Sequence, residues 1–410
     1  MTVASTERRE GTHEGRRLAD AAAKPGQGRG ASGRVAGPRP VRPSELPSLL
    51  RLLDGIFRAG GGSMAREHGY MYGRANAPRL RVIVRRGEVV SHFGFMVWDI
   101  SLLGADLRMA SVGGVGTREE RRGAGYATRL LRDAEAAMRD EGVDLVLVSG
   151  GRGLYRRNGY APAVRCETFA LRRPPGPPLR RAGVAVRAFR PRDAATLARL
   201  CAAEPARYRR SREQMAQLMA GRLARPIPDR YYLVSVAGQD VAWFDVSTSP
   251  DGRSRQLWEY AGDRAAVLAG ASAVMRRERW ELLRATVPAG DALAARLRAA
   301  GCAQTPDSLP EHTFKVFDFG AFMDKLRPVW RERAGADCAD ALRFARAGSG
   351  GAIRDGRRVL RLADSAAVAA FLFGDHGPAA AAARRTGGRI AGFAQAALPL
   401  PFMLPGMNYV

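Results

Sequence analysis

The sequence is poor in lysine, in cysteine and in long apolar runs. Only three of its 66 cationic residues are lysines (Lys24, Lys315 and Lys325), and the rest are arginines. Against 40 acidic residues they leave a formal net charge of +26. The arginines are spread along the chain, and alanine and glycine are abundant as well. That is a compositional bias, and it argues against a dedicated nucleic-acid binder, which carries a basic patch or stripe. A positive field still attracts an anionic ligand. The four cysteines, Cys166, Cys201, Cys302 and Cys338, lie far apart with no C-x-x-C pair. This argues against a disulfide framework and against a metal site, and a reducing cytoplasm is the expectation. No stretch has the length of a membrane span. No apolar segment follows Arg8-Arg9 or Arg16-Arg17, so no signal peptide is expected.

What is present is enough for several globular cores. The chain has 410 residues, 46% of them hydrophobic and 26% charged. At roughly 100–200 residues per domain, two to four domains are expected. Residues 1–37 hold Gly, Ala, Arg and Ser with almost no large apolar side chain, which predicts a disordered basic tail. A strand candidate ending at Val41 follows, then a helix with Leu46, Leu49, Leu50 and Leu53 on one face. Residues 80–115 read as a three-stranded meander, with turns at Arg86-Gly87 and at 103–106. Ala127, Leu130, Leu131, Ala134 and Met138 form the stripe of a helix over 124–141. The apolar run at 143–148 reads as a strand buried on both faces. A Pro-Gly linker over 172–183 marks a domain boundary. The element order β-α-α-β-β-β-α-β then recurs, which suggests a tandem duplication. From about Asp318 a smaller unit begins, and the last fifteen residues carry no charged side chain.

The chemistry is concentrated in two segments. The first is VGGVGTREERRGAGYATRLL, residues 112–131. A strand ends in glycines, a loop carries Arg121-Arg122-Gly123-Ala124-Gly125, and a helix opens at Tyr126. Glycines without Cβ, unpaired first-turn N–H groups, the helix dipole and two arginines together suit a pyrophosphate. No Gly-Lys-Ser/Thr follows, so this is no Walker loop, and the preceding hairpins are unlike a Rossmann unit. The alternative is a tight turn that needs glycine for packing only. The second segment is SGGRGLYRRNGYAPA, residues 149–163, downstream of the buried strand.

Together the segments resemble the GCN5-related N-acetyltransferases. The pattern Q/R-x-x-G-x-G/A, which holds the pyrophosphate of acetyl-CoA in that family, maps onto residues 120–125, with Glu120 at the first position. The resemblance implies an acetyl-CoA site built from Gly113, Gly114, Val115, Arg121, Arg122, Gly123, Ala124, Gly125, Tyr126, Gly150 and Gly151. It implies that Tyr155 is the acid that protonates the leaving thiolate, with Gly159-Tyr160 closing the motif. A phenol has the chemistry for that step; the alternative is a packing role. A backbone N–H near Gly114 or Val115 would stabilise the oxyanion. His92, alone on the central strand, reads as structural.

Length and architecture resemble the enhanced intracellular survival branch of that family. The implied fold is α/β with mixed sheets: an acetyltransferase domain over 38–172, a degenerate second copy over 173–317, and a sterol-carrier-like domain over 318–410. The branch implies a hexamer and an amine substrate, either an aminoglycoside- or polyamine-like molecule or a lysine. It also implies that the terminal carboxylate acts as the base. An apolar tail with Phe402, Met403, Leu404, Met407 and Tyr409 would bury Val410 and its carboxylate, although the tail could simply pack. The rival expectations are a protein or peptide lysine acetyltransferase, a non-catalytic acyl-CoA or lipid sensor, and a charge-driven nucleic-acid binder.

Overall fold

A computed structural model of the chain describes residues 35–162, 166–172, 183–249, 252, 255–288, 290–305, 312–374, 377–403 and 406–409. Most of the tail predicted over 1–37 and the linker over 172–183 therefore lie outside the described residues, as do Leu404 and Val410. The end of that tail is a correction. Residues 35–37 belong to a strand, because they pair with the edge of a sheet (Val35 opposite Arg85, Ala36 opposite Val84).

The first segment contains strands β1 (Val35–Pro40), β2 (Leu80–Arg85), β3 (Glu88–Leu102), β4 (Ala105–Thr117), β5 (Leu145–Ser149), β6 (Ala161–Pro162) and β7 (Cys166–Arg172). Its helices are α1 (Leu46–Phe57), the short α2 (Met64–Glu67) and α3 (Gly69–Tyr72), α4 (Tyr126–Asp140) and the single turn α5 (Gly153–Arg156). The expected stripes are the ones that pack. α4 buries Leu130, Leu131, Ala134 and Met138 against Phe93, Phe95 and Val146. Of the α1 stripe, Leu49 and Leu53 are buried on the opposite face together with Leu52, while Leu46 and Leu50 are half-buried.

The second segment contains β8 (Val184–Ala188), β9 (Ala206–Tyr208), β10 (Arg230–Val236), β11 (Gln239–Thr248), β12 (Arg255–Gly262), β13 (Leu282–Pro288), β14 (Ala303–Thr305) and β15 (His312–Val316). Its helices are α6 (Ala194–Ala202), α7 (Arg212–Leu223), α8 (Arg264–Arg277) and α9 (Ala292–Ala299). The C-terminal segment places β16 (Arg343–Ala347), β17 (Gly350–Asp355) and β18 (Arg358–Leu362) in a small antiparallel sheet. Around it lie α10 (Phe319–Lys325), α11 (Arg327–Ala334), α12 (Ala336–Ala341), α13 (Ser365–Phe373), α14 (Pro378–Thr386) and α15 (Gly388–Ala397).

The two large sheets have matching orders. One runs β1-β2-β3-β4-β5-β15-β6, with β9 on the far end of β3; the other runs β8-β10-β11-β12-β13-β7-β14. In each, the fourth and fifth strands are parallel and the other pairs antiparallel. Against the boundaries expected after residues 172 and 317, two strands cross over. β7, from the first segment, pairs with β13. β15, from the second, pairs with β5 and β6. Each sheet is thus completed by a strand of the other segment.

Candidate active site

Two local devices on β4 shape the site. β4 pairs with β5 only from Met109 to Val112, opposite Leu145 to Val148, and then the two strands part. On its other edge, β4 carries a bulge. His92 is opposite Gly116 and Gly94 opposite Gly113, so Gly114 and Val115 together face the single residue Phe93. Bulges recur beside active sites because they re-aim backbone groups. Gly114 has φ +62°, and a Cβ there would lie 2.2 Å from the Tyr72 hydroxyl, so only glycine fits. The expected Gly113, Gly114 and Val115 all lie at this bulge, and Gly150 and Gly151 lie across the opening beyond Ser149.

The loop from β4 to α4 is open to solvent at Gly123, Ala124 and Gly125. Gly125 is the left-handed residue before α4, with φ +73°, and no side chain caps the helix. The first amide with a carbonyl partner is that of Arg129, donating to Gly125 O. The amides of residues 123–128 are left without protein partners among the described residues. Arg121 and Arg122 flank them, Arg122 at 3.5 Å from Glu119 in an exposed pair. Glu120 turns toward Arg118, 3.9 Å away.

The second sheet shows what happens when the same devices are filled. β12 carries a bulge at the equivalent place, with Trp258 and Glu259 facing Asp245. There the two amides donate to one carboxyl oxygen of Asp245, at 3.2 and 2.6 Å. α8, the counterpart of α4, is capped by Asp263, whose Oδ1 accepts from Ala265 and Ala266 at 2.8 and 2.9 Å. Both oxygen-binding positions are occupied by the chain's own aspartates. Along the chain, Asp263 stands where the first segment has Gly125, but Asp245 gives no local signal.

Tyr155 on α5 belongs to the same apolar cluster as Val112, Val148, Val115 and Tyr126, so the two sequence motifs converge. Burial pushes its phenol up to about 12, opposed by the nearby Arg152. It therefore stays protonated across the neutral range. β15 fixes this region from outside. Lys315 donates to Glu135 on α4 at 2.7 Å and to the carbonyl of Asn158 at 2.8 Å. Thr313 donates to the carbonyl of Gly150 at 2.9 Å.

The chain end is docked up to its last described residue, Tyr409. Trp258 Nε1 donates to Gly406 O at 2.7 Å, and the Met407 amide to Glu259 at 2.8 Å. Arg210 holds the buried Asn408 side chain at 2.7 Å while pairing with Glu259 at 2.6 Å. The Tyr70 hydroxyl, from the first segment, donates to Tyr409 O at 3.1 Å. Val410 itself lies outside the described residues. Arg210, Trp258 and Glu259 also line a cavity of about 740 Å³ together with Arg264, Phe373 and Phe402. Its walls come mostly from the second and third segments, with Leu103 contributed by the first.

Residues 38–163 match the family described as "Acetyltransferase (GNAT) domain". No curated protein matches the chain. Solved structures share the fold over nearly its whole length. A GCN5-related N-acetyltransferase from Kribbella flavida is 17% identical, with a TM-score of 0.59 over 92% of this chain and 98% of the other. One from Anabaena variabilis is 14% identical, with a TM-score of 0.60 over 90% and 98%. Eis1 from Mycobacterium abscessus is 14% identical, with a TM-score of 0.58 over 90% and 96%.

Proposed function

We propose that this N-acetyltransferase moves the acetyl group of acetyl-CoA to a primary amine by direct attack. The amine would be an aminoglycoside- or polyamine-like small molecule, or a lysine. The observation that carries the reading is the contrast between the two sheets. The first keeps an uncapped helix N-terminus, an open bulge and a buried phenol in one place. The second has the equivalent bulge and helix sealed by Asp245 and Asp263. One donor site per chain follows.

Gly123, Ala124, Gly125 and Tyr126 offer amides to the pyrophosphate, with Arg121 and Arg122 beside them. Gly113 to Val115, Gly150 and Gly151 border the opening for the pantetheine arm and thioester. The amine nitrogen attacks the carbonyl carbon, the negative charge collects on its oxygen near the Val115 N–H, and the C–S bond breaks. Tyr155 gives its proton to the leaving sulfur. Its raised pKa is matched by the dry surroundings, which raise a thiol as well. The terminal carboxylate of Val410 is our candidate for taking the amine proton. The docking of Gly406 to Tyr409, with the Tyr409 carbonyl on Tyr70 of α3, supports this. By the same reading residues 173–317 are a degenerate copy of the first domain, and the C-terminal segment is sterol-carrier-like. The assembly is proposed as a cytoplasmic homo-oligomer.

The test is free-thiol release from acetyl-CoA with polyamines, aminoglycosides and lysine peptides. Tyr155→Phe should lower kcat by about 10²–10⁴-fold while CoA binding persists. Two glycines appended after Val410 displace the carboxylate yet leave Asn408 in place. They should also lower kcat; unchanged turnover would remove Val410 from the mechanism. If CoA binds and no amine is turned over, the chain is an acyl-CoA sensor.

A further inference from the structure

The bulge on β4 has a partner that the proposed chemistry has not used. His92, on β3, is fully buried, and its Nδ1 lies 2.6 Å from the carbonyl oxygen of Gly114. A carbonyl can only accept, so Nδ1 carries the proton and Nε2 is a bare lone pair. Nε2 is buried with no partner, and so is the hydroxyl of Tyr72, whose ring centroid is 6.1 Å away. Tyr72 also fills the space a side chain at position 114 would need. A buried histidine held by one hydrogen bond, with its second nitrogen unsatisfied, is costly as packing alone.

The bond has a geometric consequence. A trans peptide is planar, with its C=O and the following N–H pointing in opposite directions. Holding the Gly114 carbonyl against His92 therefore turns the Val115 N–H away from His92. The counterpart of Val115 in the second sheet is Glu259, and its N–H grips a carboxyl oxygen at 2.6 Å. The counterpart of His92 there is Phe244, which has no donor, and in that sheet the aspartate itself organises the bulge.

We infer that His92 is a positioning residue: through the Gly114 carbonyl it aims the Val115 N–H at the oxygen of the reacting thioester. This rests on the acetyl-transfer reading above. His92 touches no reactant, and its imidazole stays neutral throughout.

The test compares His92→Asn with His92→Leu in the full chain, using the amine that the wild type turns over. The side-chain amide of Asn can occupy the place of Nδ1–H; Leu cannot donate. His92→Asn should keep kcat within about threefold. His92→Leu should lose about 10²–10³-fold in kcat, the effect of removing one oxyanion donor. KM for acetyl-CoA and the Kd for CoA should move little in either. Equal kcat in all three proteins, an equal loss in Asn and Leu, or a loss confined to KM would each overturn the inference. Should His92→Leu not fold, nitrogen NMR of the wild-type histidines decides: His92 must be the Nδ1–H tautomer at neutral pH, and the Nε2–H tautomer would refute it. A wild-type chain that turns over no amine defeats the functional reading, and this inference with it. An active wild type with an indifferent His92 defeats the inference alone.

Discussion

Replacing Gly114 by alanine probes the bulge most directly. Two costs are expected. A non-glycine residue at φ +62° pays about 1–2 kcal/mol for the left-handed conformation. The new Cβ would lie 2.2 Å from the Tyr72 hydroxyl and 3.2 Å from its ring carbon Cζ, so ring or strand must shift, at about 1–3 kcal/mol. Gly114→Ala should therefore destabilise by roughly 2–5 kcal/mol in denaturant unfolding. Tyr72→Phe alone should change stability by less than about 1 kcal/mol, because its hydroxyl has no partner to lose. In the double variant the closest clash is gone while the strained φ remains. The pair should then be non-additive, with about 1–2 kcal/mol recovered. Additivity would mean that the tyrosine does not stand over Gly114. A silent Gly114→Ala would mean that β4 is not bulged there, and the oxyanion argument would lose its basis.

Asp263→Ala removes the cap of α8 and should cost about 0.5–2 kcal/mol in unfolding without touching turnover, since Asp245 still fills the bulge of the second sheet. Lys315→Met removes the nearer of the two cations on buried Glu135, leaving Arg139 at 3.2 Å. It should destabilise by about 1–3 kcal/mol and lower kcat through the loop that carries Tyr155; adding Glu135→Gln should restore part of the stability. Acid should weaken the fold in a defined window. Burial lowers His68 to about 3 and His92 to about 4 from an ordinary 6.5, so the unfolded chain binds their protons first. Their contribution is complete above pH 6.5 and lost as pH falls toward 4 and 3, by roughly 3 kcal/mol for His92 alone. Unfolding midpoints measured from pH 7 to 4 should show this slope, and His92→Asn should flatten part of it.

Much of this protein was set by short-range pattern. The stripe from Leu130 to Met138 makes α4 amphipathic whatever surrounds it. Residues 145–148, apolar throughout, suit a strand covered on both faces. Gly123 and Gly125 leave the helix entrance bare because they have no side chain, and Asp263 closes the other helix because aspartate caps its own first turn. These are properties of neighbours a few residues apart, so they can be read along the chain. The tertiary structure decided the rest. β7 and β15 are ordinary strand sequences, and nothing in them says that each completes the other segment's sheet; that depends on which edge is open when the two halves meet. The bulge arises from register between β3 and β4, and it alone brings His92 onto Gly114, twenty-two residues on. Asp245 reaches the Trp258 and Glu259 amides by the same kind of register. The tail is read as apolar from its composition, but its place is set by distant partners, Arg210, Trp258, Glu259 and Tyr70, the last 339 residues from Tyr409 in sequence and 3.1 Å from its carbonyl in space.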